Sequence, residues 1–119
     1  MKLKLIVFFI SLIVSVCFIH TKSFAQLHLL KDNKTCLYGY TDDESNWIVE
    51  RQYDLAEEFY GIYAVVTKNE KSGLIKTTGE IIVSIEYSSI KSDNRNFYIL
   101  KKGAAYFVFD SSLEKNNNQ

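Results

Sequence analysis

Residues 38–53 read YGYTDDESNWIVERQY, and residues 72–87 read SGLIKTTGEIIVSIEY. Laid one on the other without a gap, they set Gly39 on Gly73, Ile48 on Ile82, Val49 on Val83 and Tyr53 on Tyr87, and the same offset of 34 residues carries Lys68 onto Lys102. A fixed period of this length marks an array of small units, each too small to bury its apolar side alone and therefore stacked on its neighbours. Residues that return at the same place in each copy then serve the repeat. Gly39, Trp47, Tyr53, Gly73, Gly79 and Tyr87 are assigned that structural role.

Working outward, short runs rich in Val, Ile, Tyr and Phe predict strands over 36–41, 46–50, 62–68, 73–76, 80–84, 97–102 and 105–110. Turn residues separate them. Lys76 to Glu80, with Gly79 where a left-handed residue is needed, predicts a tight hairpin, and Asp42 to Ser45 is its counterpart. A second kind of turn recurs at Lys68–Lys71 and at Lys102–Ala105. The segment Leu55 to Phe59 has the composition for one helical turn, whereas Ser89 to Asn96 favours turns. The fold class predicted is all-β: an array, or meander, of antiparallel hairpins from two 34-residue repeats and a partial third, with little or no helix. The alternation sets Tyr38, Tyr40, Trp47, Val49, Val65, Ile75 and Ile82 as one packed layer.

The first 25 residues read as a cleavable signal peptide. Lys2 and Lys4 precede an apolar run from Leu5 to Ile19, and Ser23-Phe24-Ala25 offers small residues for cleavage between Ala25 and Gln26. That run of 15 residues is shorter than the roughly 20 needed to cross a bilayer, so no stable membrane span is expected after removal. The mature chain is expected to be secreted or periplasmic, organised as one domain over 26–110 and a polar C-terminal tail over 111–119. Lipid attachment at Cys17 is disfavoured, because Val16 is bulky and the apolar run continues past the cysteine.

Without its signal the chain has 94 residues and a balance of about −3, with no basic cluster beyond Lys101-Lys102. That excludes the electrostatic footprint of a nucleic-acid or anionic-membrane binder. Cys36 remains as a single thiol, so no internal disulfide can form, and its apolar neighbours Leu37 and Tyr38 predict burial.

Tyr38-Gly39-Tyr40, then Asn46-Trp47-Ile48-Val49 and Gln52-Tyr53-Asp54, resemble the WG repeat (tryptophan-glycine, KWG-like) of bacterial proteins. In that family an aromatic-glycine-aromatic strand precedes a second strand and an x-Tyr-Asp segment. Ser72-Gly73-Leu74-Ile75, Thr77 to Val83 and Glu86-Tyr87-Ser88 form the second copy, and Phe59 to Val66 is similar to the family's link between copies. Here Ser72 replaces the first aromatic, and Glu50-Arg51 and Ser84-Ile85 stand where the family has prolines. The resemblance implies a β-rich repeat module linked to binding. It carries over no catalytic residues.

The residues themselves agree with that silence. His28 is the one histidine of the mature chain and lies three residues from the expected new terminus, and Asp42-Asp43-Glu44 has Trp47 and Tyr53 where an EF-hand needs Gly and Glu. No catalytic site, metal site or cofactor is expected, and the chain is read as a non-enzyme. The expected partner is another protein or a peptide, with a glycan or a cell-envelope structural role as the alternative; nucleic acid is not expected. Tyr60, Tyr63 and Tyr98, at loop-strand junctions, are the candidate binding residues. Function is expected where the copies differ, over 42–45, 57–60 and 91–96.

Overall fold

The hairpin turns set the architecture. In the computed structural model, which describes residues 26–93 and 95–115, Gly79 has φ +88° and donates to Lys76 O at 2.9 Å, while Lys76 N bonds Glu80 O at 2.9 Å. One period earlier Ser45 has φ +65°, donates to Asp42 O at 3.1 Å, and Asp42 N bonds Asn46 O at 3.0 Å. The same turn is thus built twice, with serine held in the conformation that glycine adopts freely. The acidic Asp42 is explained by this turn: its carboxylate accepts from Glu44 N and Asn46 N at 3.0 and 2.9 Å. The expected signal over 1–25 lies outside the described residues.

Ten strands and one short helix follow among the described residues. They are β1 (His28–Lys31), β2 (Tyr38–Thr41), β3 (Trp47–Tyr53), β4 (Leu55–Ala56), β5 (Tyr63–Lys68), β6 (Lys71–Lys76), β7 (Ile81–Tyr87), β8 (Ser89–Ser92), β9 (Phe97–Lys102), β10 (Ala105–Asp110) and α1 (Ser111–Lys115). All pairings are antiparallel, in three sheets ordered β1-β2-β3, β4-β5-β6-β7 and β8-β9-β10. The chain changes sheet at Asp54 and again at Ser88, one period apart. Asp54 N bonds Thr67 O at 2.9 Å, and Ser88 N bonds Lys101 O at 2.8 Å.

Alternation along the middle sheet distributes its side chains between two cores. Tyr63, Val65 and Leu74 pack with Ile90, Tyr98 and Leu100 of the third sheet. Ala64, Val66 and Ile75 pack with Tyr40, Val49 and Tyr53 of the first. The middle sheet is therefore buried on both faces, and β6 is buried from Ser72 to Ile75. Each large apolar side chain sunk in these layers contributes on the order of 1.5–3 kcal/mol. The glycine of the unit is demanded by this packing. Beside the register shift between β6 and β7, a Cβ on Gly73 would stand 2.7 Å from Val83 O and 2.6 Å from Ile85 Cγ1. Gly39 meets the same crowding from Val49 O, Arg51 N and Trp47 Cζ3.

All-β hairpin architecture and two repeats stand as expected from sequence, and β9 and β10 have the expected bounds. Several expectations are corrected. Leu55 to Phe59 is not helical: Leu55–Ala56 pairs with Thr67 and Val66 as β4. Ser89 to Ser92 forms β8, drawn into the ladder by Ile90, whose side chain is buried. His28, near the expected new terminus and outside every expected strand, lies in β1, where it pairs with Thr41 and its Nε2 is 2.6 Å from Asp43 Oδ1. Cys36 is exposed at φ +58°, in the turn that Asp32 O closes by accepting from Cys36 N, so it precedes the strand instead of packing in it. The single layer expected of Tyr40, Val49, Val65 and Ile75 is divided between the two cores, because Val65 and Ile75 face opposite sides of the middle sheet. Within the tail, Ser111–Lys115 forms α1, capped by Asp110, which accepts from Ser112 N at 2.9 Å.

Candidate functional site

The segments joining the sheets line two clefts. The first, of about 550 Å³, lies where the first unit meets the second and is lined by Gln26, Leu27, Glu58, Phe59, Gly61, Ile62 and Thr77. The second, of about 440 Å³, lies where the second meets the third, against Tyr60, Gly61, Ile62, Tyr63, Arg95, Asn96, Tyr98 and Ser111. They are one feature repeated. Shifted by 34 positions, Gln26 and Leu27 become Tyr60 and Gly61, Gly61 and Ile62 become Arg95 and Asn96, and Thr77 becomes Ser111. The turn at Gly61 and Ile62 belongs to both clefts, so they adjoin there.

The walls are held by the cores beneath them. Tyr40, buried in the first sheet, donates from its hydroxyl to Glu57 O at 2.6 Å and sets its ring 4.5 Å from Phe59. Burial pushes the Tyr40 hydroxyl well above the usual tyrosine range, with Glu58, Tyr53 and Glu57 adding to it. In the second cleft, Tyr60 and Tyr63 exchange backbone bonds at 2.9 and 3.3 Å and fix the turn between them. The Tyr63 and Tyr98 rings meet edge to face at 6.2 Å, with Phe109 behind both. Tyr63 donates to Glu114 of α1, and Lys76 Nζ lies 3.4 Å from that carboxylate. Ser111 ties α1 to the opposite wall through two bonds to Asn96 O, at 2.9 and 3.0 Å.

The three candidate tyrosines converge on the second cleft, but differently from the sequence expectation. Tyr60 is 51% exposed, whereas Tyr63 and Tyr98 are only 4% and 3% exposed. Strand alternation turns those two into the core between the second and third sheets, so they form the floor and present edges only. Burial raises both hydroxyls above the usual range; for Tyr63 the acceptor Glu114 adds to it, and Tyr98 is hydrogen-bonded with Ser92. A stacking platform for a sugar ring needs exposed faces, and this floor offers none. Gly39, Trp47, Tyr53, Gly73, Gly79 and Tyr87 lie outside both clefts. Trp47 sits under the Arg51 guanidinium, 5.5 Å from its ring centre, Tyr53 is buried in the first core, and Tyr87 packs on Phe107 at 6.1 Å.

Of the segments where the copies differ, 57–60 and 91–96 reach the clefts and 42–45 does not. Gly61, Ile62, Thr77 and Ser111 escape a motif search because none bears distinctive chemistry. Carrying the first cleft's lining forward by one period finds Gly61 and Ser111 in the second. Among the described residues, no group of three or more His, Cys, Asp or Glu side chains is placed to hold a metal ion, and no helix is long and apolar enough to cross a membrane.

The family model for the WG containing repeat matches this chain twice, over residues 38–71 and 73–106. This chain is a WG repeat protein. Each WG match begins in one sheet, at Tyr38 or Gly73, and ends in the hairpin of the next, at Lys71 or Tyr106, so each contains one of the linking segments that line the clefts. No curated protein and no solved structure matches the chain.

Proposed function

We propose that this WG repeat protein is an exported, non-catalytic module that binds a protein through an extended peptide segment laid across the two adjoining clefts. One observation carries the reading: equivalent clefts recur one period apart, share Gly61 and Ile62, and differ in lining. Leu27, Phe59 and Ile62 suit an apolar side chain in the first. Arg95 and the tyrosine edges suit a carboxylate-bearing or polar one in the second. Export rests on the signal-like residues 1–25 alone.

A displayed library of random heptapeptides, selected on the immobilised full chain, tests the reading. The expected result is enrichment of sequences with an apolar residue followed by an acidic one, lost on Ile62→Asp and on Arg95→Glu respectively. No peptide enrichment, combined with soluble glycan fragments shifting the Tyr60 NMR resonances, would replace it by the glycan alternative.

A further inference from the structure

The outward face of the third sheet carries Phe97 and Ile99 on β9 and Tyr106 and Val108 on β10, each between 45% and 66% exposed. Register sets Val108 beside Ile99 and Tyr106 beside Lys101, so the four form one patch rather than scattered surface residues. Their counterparts one period earlier are Tyr63, Val65, Ser72 and Leu74, all buried. Three of those counterparts, Tyr63, Val65 and Leu74, are the residues on which the third sheet itself is stacked. The patch is thus the repeat's own stacking face, presented to solvent.

We propose that a second copy of this chain covers this face, third sheet against third sheet, in a closed two-fold dimer. Inside the molecule the equivalent face takes a sheet of the same repeat, so the surface chemistry that fits it is that of the repeat. The patch is also self-complementary in charge. Lys101 lies at its Tyr106 end and Asp110 at its Phe97 end, and a two-fold axis crossing the strands at Ile99 and Val108 sets each positive end against the other copy's negative one. The same axis passes Lys91, opposite Ile99 on the edge strand β8, so the two copies' Lys91 side chains face each other as like charges at the border of the contact. Closure at two copies follows from the far end of the stack. There the first sheet has Asp32 and Arg51, 3.6 Å apart, where the middle sheet has Val66 and Ile85. A charged pair on that face disfavours head-to-tail growth. The inference stands apart from the cleft reading, since no residue of the patch lines either cleft.

Sedimentation equilibrium of the full chain across a wide concentration range is the test. The expected result is a reversible monomer-dimer equilibrium, weakened at least about tenfold by Val108→Lys and by Tyr106→Lys, and unchanged by Leu30→Lys on the first sheet. Circular dichroism establishes that each variant is folded; should Val108→Lys unfold, Tyr106→Lys, at the open edge of the sheet, carries the test. A monomer at every concentration, oligomers that grow past two, or association surviving in both patch variants would overturn the proposal. Association through the apolar residues 5–19 would show itself as that last outcome.

Discussion

The first and third sheets are built from the same unit, yet their outward faces differ: an ion pair sits beside exposed Leu30 on the first, while the third carries four exposed apolar side chains. Toward the first sheet the middle sheet presents Val66, Ile75 and Ile85; on the first sheet's own outward side the equivalent positions hold Asp32, Thr41 and Arg51. Asp32 pairs with Arg51, and Arg51 covers Trp47. Toward the third sheet the middle sheet presents Tyr63, Val65 and Leu74, and the third sheet's outward equivalents, Phe97, Ile99 and Val108, stay apolar. The period therefore decides where a face lies, and substitution at those same positions decides whether it is sealed or left able to stack. Solenoids seal their ends by such polar replacement.

The largest effect expected is from deleting residues 105–119. That strips Phe107 and Phe109 from the core side of the third sheet and bares β9 along its length, so the domain should unfold or aggregate. Thermal unfolding with light scattering checks it, and an unchanged, cooperative, monomeric transition would remove the claim that β10 completes the stack. Next is the pair Leu100→Ala and Ile99→Ala, adjacent residues on opposite faces. Leu100→Ala should cost about 2–5 kcal/mol by leaving a cavity. Ile99→Ala should cost the monomer under about 1 kcal/mol in urea titration, so equal losses would erase the difference between the faces.

Alkali addresses the interior of the stack. Tyr40, Tyr53, Tyr63 and Tyr98 all have hydroxyl pKa values raised in the folded state, with burial the leading cause. Their contribution to stability is complete below the unfolded value of about 10 and is lost as pH rises beyond it toward the folded values. Tyrosinate absorbance should therefore rise together with loss of circular dichroism. Tyrosines ionising in a still-folded protein would contradict their burial. The smallest effect is expected in acid. Hydrogen bonds from Thr35 hold Asp32 below the usual carboxylate range, and those from Asn46 do so for Asp42. Their stabilisation is present above about pH 4 and fades as pH falls through the lowered values. A small fall in melting temperature below pH 4, reduced in Asp32→Asn, is the expected readout.

Much of this was legible in the residues because the repeat writes the same message twice. Gly39 and Gly73 are crowded in the same way, and the turns at Ser45 and Gly79 bond alike. What escaped were elements whose local chemistry points elsewhere. Ser89 to Ser92 has turn-forming serines and becomes β8 because Ile90 reaches the core, and His28 to Lys31 becomes β1 because Tyr38 to Thr41 lies beside it. Tyr63 and Tyr98 illustrate the same limit at the site. Junction residues read as exposed when the partner layer is not known, and the layer that buries them comes from a different copy. The clefts belong to pairs of units, so no single copy spells them out.

Amide hydrogen exchange tests the three-layer stack most directly. The account predicts the slowest exchange at Ala64 to Val66 and Leu74 to Ile75, on strands buried on both faces, and markedly faster exchange along Tyr106 to Val108 at the open edge of the third sheet. Exchange as slow in β10 as in β6, or a middle sheet no better protected than its neighbours, would contradict it.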